Sequence, residues 1–376
     1  MKICIVLSTR PEIIKLSPLI NIFKKKKCDY FIINTNQHFI SSMSDVFFKH
    51  FNIKKPKYNI RAPNKTYGNF FSKTIKEIEK ILTNEKPNYL LVQGDTNTAF
   101  AGCFAASIYN RKFFHEKDKL KIVHVEAGLR SFDDNMPEEI NRKLIDLLSN
   151  ILFVPTNLDF INLKKERLTL KKKIYVVGNT ISDVIRENLR FINNHKSNFQ
   201  FLNEKKNYFL VTLHRPESVD SLKRLQKLIH IFEKVGKMYN KVFIFPIHPR
   251  TKKKLSKINI KKFKYLKIIP PLKFLDFLYL MKNSDIVFTD SGGIQEETSL
   301  LGVPCVTLRT TTERQISLID KSNILVGYNQ KKLINAIKYF KRIQLKPSKS
   351  FGDGNVSKKI FNIMNKINKK EKNKNV

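Results

Sequence analysis

Six short polar motifs in this 376-residue chain carry residue types suited to binding an anion and moving protons. Five of them stand where an apolar run ends. The most specific is T-D-S-G-G-I-Q-E-E at 289–297. Gly292 and Gly293 allow close backbone approach, and free N–H groups at a helix start, with the Ser291 hydroxyl, suit a diphosphate. Glu297 falls about one turn into that helix, where it could accept hydrogen bonds from ribose hydroxyls. Arg314, in T-E-R at 312–314, follows the next apolar run and could pair with the same anion. S-T-R-P-E at 8–12 adds Arg10, with Lys15 about one turn further along a helix that Pro11 suits at its start. Paired cations there read as a phosphate-binding spot or as surface charge over a helix start.

The remaining motifs are proton-handling candidates. In Q-G-D-T-N-T at 93–98, Asp95 is either the cap of the following helix or a carboxylate available for proton transfer. In H-V-E-A-G-L-R at 124–130, Glu126 ends an apolar run beside small residues that leave room for a ligand. Partial desolvation there favours the protonated carboxyl, and the competing reading is an ion pair with Arg130. In M-P-E-E-I-N-R at 136–142, Glu138 and Glu139 suit a first helical turn after Pro137, a reading that weakens with Glu126 only twelve residues upstream. In T-L-H-R-P-E-S at 212–218, His214 ends an apolar run, and histidine as a class exchanges protons near neutrality. His248 ends a run in the same way but is followed by Pro249 and ranks lower.

These residues need strands to hold them. Short apolar runs at 2–8, 30–35, 89–94, 121–126, 151–156 and 174–179 alternate with helical patterns. After a polar break at 194–207 the alternation restarts at 208–214, 242–248, 266–271, 285–290, 304–309 and 323–327. Near-continuous apolar runs separated by helices predict buried parallel strands with helices on both faces. The restart predicts two such α/β domains, with ligands at the carboxyl ends of the strands. F-G-D-G-N at 351–355 predicts a turn, and Val356, Ile360, Ile363 and Ile367 line one face of a helix with Met364 beside them. The final K-K-E-K-N-K-N-V reads as a frayed charged tail.

Composition narrows the class. Hydrophobic residues make up 41% of the chain, enough for folded domains, and no apolar run approaches the roughly 20 residues of a membrane span. The N-terminal apolar run of about six residues is short for a signal peptide, which predicts a cytoplasmic protein. The four cysteines form no C-x-x-C pair and read as free thiols. The net charge of +39 comes mostly from scattered lysine, as a solvated surface would, and predicts no nucleic-acid partner. No G-x-x-x-x-G-K-[ST], G-x-G-x-x-G after the first strand, H-E-x-x-H or cysteine cluster is present, so neither cofactor nor metal is expected.

Taken together, T-R-P-E, G-D-T, V-E-A-G-L-R, M-P-E-E-I-N-R, L-H-R, D-S-G-G-I-Q-E-E and T-E-R, in this order from residue 8 to 314, resemble the non-hydrolysing UDP-N-acetylglucosamine 2-epimerases. The resemblance implies a GT-B fold: two Rossmann-like domains with parallel sheets facing a central cleft, over residues 1–180 and 181–355, and a C-terminal helix within 356–376 crossing back to the first. It implies a UDP-sugar substrate, a homodimer, and catalytic roles for Asp95, Glu126, Glu138 and His214. Arg10 and Lys15 would reach the nucleotide or its phosphates, Ser291, Gly292 and Gly293 the diphosphate, Glu297 the ribose, Arg314 the phosphates, and Phe277 the uracil. Gln37 and His38 resemble a loop that helps bind an activating second substrate molecule in bacterial members, or are simply loop polarity.

The sequence departs from the family pattern at Leu272, where some members carry glutamine, and at Gln315-Ile316-Ser317 after T-E-R. Relatives acting on UDP-diacetamido-uronic acids also vary there. The rival readings are such an epimerase, a hydrolysing epimerase releasing the free sugar, and a GT-B glycosyltransferase, which has no reason to keep both Glu126 and Glu138.

Overall fold

The computed structural model describes residues 1–36, 47–62, 66–113, 115, 119–170, 172–194 and 208–373. Gln37 and His38 lie outside these. The chain divides into two compact units, residues 1–184 with 351–376, and residues 185–350.

The first unit is built on one sheet of β1 (Lys2–Leu7), β2 (Asp29–Asn34), β3 (Tyr58–Asn59), β4 (Tyr89–Gln93), β5 (Lys121–Val125), β6 (Ile151–Val154) and β7 (Lys173–Val176). Its order is β3-β2-β1-β4-β5-β6-β7, and every pairing is parallel. Strand β3 was not predicted, because two residues carry no periodicity; its register with β2 places Ile33 opposite Tyr58. The apolar residues Cys4, Val6, Ile33, Leu90, Val92 and Ile122 are buried with Ile78, Leu82, Ala99 and Ile145 of the flanking helices, the arrangement that a strand buried on both faces requires.

The second unit carries β8 (Tyr208–Thr212), β9 (Val242–Pro246), β10 (Leu266–Ile269), β11 (Ile286–Thr289), β12 (Cys305–Thr307) and β13 (Asn323–Leu325) in the order β10-β9-β8-β11-β12-β13, again all parallel. Its core is rich in phenylalanine. Phe232 stacks on Phe243 at 4.9 Å between centroids, and Phe288 meets Phe243 at 5.1 Å.

In each sheet the order reverses once, between β1 and β4 and between β8 and β11. Ligands of open α/β sheets bind at such switch points, outside the carboxyl ends of the strands. Most strands are shorter than their apolar runs. Ser8, Gly94, Glu126 and Asp290 fall just past the last sheet residue and His214 two residues past it, because the polar end of each run has turned to open a loop. Gly94 with φ 71° and Glu126 with φ 75° show that turn directly.

The C-terminal segment departs from expectation in two respects. Helix Val356–Asn373 runs through most of the stretch expected to fray. Glu371 explains this, forming ion pairs with Lys121 and Lys173, and it lies 3.4 Å from the Tyr89 hydroxyl. Its buried stripe is Val356, Ile360, Met364 and Ile367, with Ile363 only half-buried, since spacings of 4, 4 and 3 residues follow the 3.6-residue period. The helix packs on helix Arg10–Lys25, Phe361 lying 6.3 Å from Phe23 between centroids. Among the described residues no helix is long and apolar enough to cross a membrane.

Candidate active site

At the first sheet's switch point the loop after β1 is tied to the loop after β4 by Glu12. Its carboxylate accepts the N–H groups of Ser8 at 2.9 Å and Thr9 at 2.6 Å and the hydroxyl of Thr96 at 2.7 Å. Burial pushes the Glu12 carboxyl above its usual range, opposed by those hydrogen bonds. The next helix, Asn97–Asn110, is capped by Thr96, whose hydroxyl accepts from the N–H of Ala99. The expected cap role of Asp95 is therefore corrected. Asp95 stands one residue too early, and its carboxylate instead pairs with Arg142 at 2.5 Å.

Glu126 is buried at the end of β5, with a backbone conformation that costs a non-glycine residue on the order of 1–3 kcal/mol. Its N–H and that of Ala127 both donate to the carbonyl of Phe153 at 3.0 Å, so two residues oppose one and the side chain is re-aimed. Three donors converge on its Oε2: Lys15 Nζ at 2.6 Å, Gln93 Nε2 at 2.7 Å and Asn179 Nδ2 at 3.0 Å. The expected alternative, an ion pair with Arg130, does not form. Arg130 is taken by Asp146 at 2.8 Å and Glu166 at 2.7 Å. Asp146 also bonds His124 at 2.7 Å and the N–H of Gly128 at 3.1 Å. Burial raises the Asp146 carboxyl, but His124 and Arg130 more than offset this and hold it below its ordinary value.

The adjacent acids at the start of helix Pro137–Leu148 separate cleanly. Glu139 is fully buried and accepts from Ser131 N–H at 2.9 Å, Phe132 N–H at 3.0 Å and Arg142 at 2.6 Å. It shapes a loop in which Phe132 has φ 56°. Glu138 is half-buried and, among the described residues, has no hydrogen-bond or ion-pair partner. Arg10 begins helix Arg10–Lys25 and lies over the Phe47 ring at 4.9 Å. Lys15, expected at a phosphate, is buried on Glu126.

At the second sheet's switch point, Asp290 directly follows β11, fully buried, and accepts the N–H groups of His214 and Arg215 at 3.0 Å each. His214 Nδ1 lies 3.2 Å from the same carboxylate, and the ring remains partly exposed. Burial raises the Asp290 carboxyl, but the hydrogen bond and charge of His214 prevail and hold it low. His248 caps its own helix, its Nδ1 accepting from Arg250 N–H at 3.2 Å.

Ser291 precedes helix Gly292–Leu301 without a side-chain cap bond. A Cβ added at Gly293 would meet only the Ser291 Oγ, 4.0 Å away, so there is room beside that residue among the described residues. A Cβ on Gly292 would lie 2.1 Å from Glu313 Oε1. Glu313 is buried among arginines, 3.1 Å from Arg309, 3.3 Å from Arg314 and 3.7 Å from Arg215. Arg314 also pairs with buried Glu296 at 2.8 Å. Glu297 is half-buried on the helix, and Phe277 is half-buried on helix Phe274–Lys282.

The structure thus gathers Lys15 with Glu126, Asp95 with Arg142, and His214 with Asp290, each at a carboxyl edge. Gln93, Arg142, Asn179, Asp290, Glu296 and Glu313 were not singled out in the sequence as site residues. All six lie in a motif or at the end of an apolar run already noted, which is the one signal that pointed to them.

The UDP-N-acetylglucosamine 2-epimerase family model matches residues 21–365. The UDP-N-acetylglucosamine 2-epimerase of Methanocaldococcus jannaschii is 45% identical over 371 residues, covering 97% of this chain and 99% of the relative. Its crystal structure in complex with UDP-GlcNAc and UDP superposes with a TM-score of 0.87 at 44% identity, over 97% of this chain and 99% of that one. The UDP-2,3-diacetamido-2,3-dideoxy-D-glucuronate 2-epimerase of Pseudomonas aeruginosa is 34% identical over 98% of this chain and 100% of its own. The fold is accordingly of the GT-B type, and the chain belongs to the UDP-N-acetylglucosamine 2-epimerase family of isomerases.

Proposed function

We propose that this protein interconverts UDP-N-acetylglucosamine and UDP-N-acetylmannosamine by eliminating and re-adding UDP. C2 of the sugar has no adjacent carbonyl, so simple deprotonation is unfavourable. As the C2 proton is removed, its electron pair forms the C1–C2 double bond and the C1–O bond breaks, the bonding pair leaving with the diphosphate oxygen. UDP then re-adds at C1 after C2 takes a proton on its other face. The reaction needs proton-exchanging groups at C2 and stabilisation of the departing diphosphate.

In this reading Asp95, Glu126, Glu138 and His214 serve the chemistry. Ser291, Gly292 and Gly293 hold the diphosphate, Arg314 adds positive charge beside it, Glu297 binds ribose, and Arg10 and Phe277 contact the nucleotide. Lys15 supplies the counter-charge beside Glu126. The observation that carries the proposal is the second sheet's carboxyl edge, where Ser291 and the glycine helix start directly follow Asp290 of the His214–Asp290 pair, with room beside Gly293.

Proton NMR of UDP-N-acetylglucosamine with the protein in D2O tests it. The expected result is UDP-N-acetylmannosamine with deuterium at C2. Release of free N-acetylmannosamine and UDP would replace it with the hydrolysing reaction. An unchanged sugar, with UDP still bound, would shift the substrate to a diacetamido-uronic sugar nucleotide, to be tried next. The proposed working form is a cytoplasmic homodimer, and light scattering at one protomer's mass would remove the dimer.

A further inference from the structure

Glu126 receives a hydrogen bond from a segment that the docked C-terminus holds in place. Asn179 is buried in the turn between β7 and helix Ile181–Asn194. Its Oδ1 accepts the N–H of Ile181 at 3.1 Å, which orients the amide so that Nδ2 faces Glu126 Oε2 at 3.0 Å. Its backbone N–H donates to the Phe351 carbonyl at 2.6 Å, and its carbonyl accepts the Ser182 hydroxyl at 2.8 Å.

The C-terminal segment is seated without slack. Gly178 and Gly352 have φ of 103° and 127°. A Cβ on Gly178 would come within 2.9 Å of Gly352 Cα, and one on Gly352 within 2.6 Å of Ser182 Oγ. Asp183 then caps helix Val356–Asn373, accepting the N–H groups of Val356 at 2.8 Å and Ser357 at 2.6 Å.

We infer that Asn179 is a positioning residue for the reaction, transmitting the docking of Phe351–Ser357 to the orientation and charge state of Glu126. Lys15 is a charged group facing that carboxylate, while Gln93 and Asn179 are neutral donors. A donor to the charged form favours that form. Its loss raises the pH at which Glu126 titrates by about one unit, the effect of one hydrogen bond to a charged group. The inference rests on the proposed catalytic role of Glu126.

The test compares Asn179→Ala and Asn179→Ser with Glu126→Gln in the intact protein. Serine keeps an acceptor for the Ile181 N–H but is too short to reach Glu126, so it preserves the turn if alanine does not. Both Asn179 variants should lower kcat about tenfold with KM changed less than about twofold. The limb of the kcat–pH profile that Glu126→Gln abolishes should move up by about one unit. Gly352→Ala should reproduce that shift through the C-terminal segment. An unshifted limb in a variant that still melts cooperatively overturns the inference, whatever happens to kcat. Near-normal turnover by Glu126→Gln would overturn the catalytic reading of Glu126 instead.

Discussion

Nζ of Lys15 lies 2.6 Å from Oε2 of Glu126, and both side chains are buried. One stands in the first turns of helix Arg10–Lys25 and the other just past β5, so 111 residues separate the partners. The pair turns what looked like a phosphate-facing cation into the counter-charge of a carboxylate. Breaking it leaves an uncompensated buried charge. Lys15→Met should lower the unfolding free energy by about 3–5 kcal/mol, measured by urea denaturation, and reduce kcat/KM more than tenfold. A variant as stable and active as the parent would show that the pair is dispensable.

The neighbouring acids Glu138 and Glu139 should behave oppositely. Glu139→Gln weakens a buried pair with Arg142 and two backbone contacts, and should cost about 3 kcal/mol of stability. Glu138→Gln should change stability by less than about 0.5 kcal/mol, as expected of a side chain without partners among the described residues, yet lose turnover. Paired thermal melts and initial rates decide it. Normal turnover in Glu138→Gln would take that carboxylate out of the mechanism.

Gly292→Ala should impair nucleotide binding through a neighbour. The new methyl would collide with Glu313, which must move and so disturb its contacts with Arg314 and Arg215. Titration calorimetry with UDP should show affinity lowered about tenfold or more, equivalent to at least about 1.4 kcal/mol. Unchanged affinity would mean that Glu313 rearranges at no cost to the site.

Asp290 predicts an acid-side dependence of stability. Its carboxyl titrates lower in the folded protein than the ordinary value near 3.9. The folded state therefore binds fewer protons there than the unfolded chain does. The resulting stabilisation is fully present above the unfolded value and is lost as pH falls through the lower folded value. The stability gap between the parent protein and Asp290→Asn should be constant above about pH 5 and close below about pH 4, by urea midpoints across that range. A gap independent of pH would assign the difference to packing.

Much of this protein was legible in one dimension. The apolar runs at 89–94 and 121–126 announced β4 and β5 because a strand buried on both faces must be apolar throughout. The motifs were legible because a polar residue ending such a run can only stand at a strand's carboxyl edge. What the linear order could not contain was the partner of each charge. Glu126 and Arg130 are four residues apart and looked like a pair, yet the left-handed backbone at Glu126 re-aims its side chain to Lys15, while Arg130 reaches Asp146 and Glu166. As adjacent acids of one first turn Glu138 and Glu139 looked equivalent, until the helix turned one into the interior and left the other half-buried. Asn179 gave no signal beyond its place at the end of the apolar run 174–179, because its contact with the C-terminal segment exists only in the completed fold. Burial and periodicity are local properties of a chain, whereas electrostatic pairing acts over a few ångströms of space between residues that only the completed fold brings together.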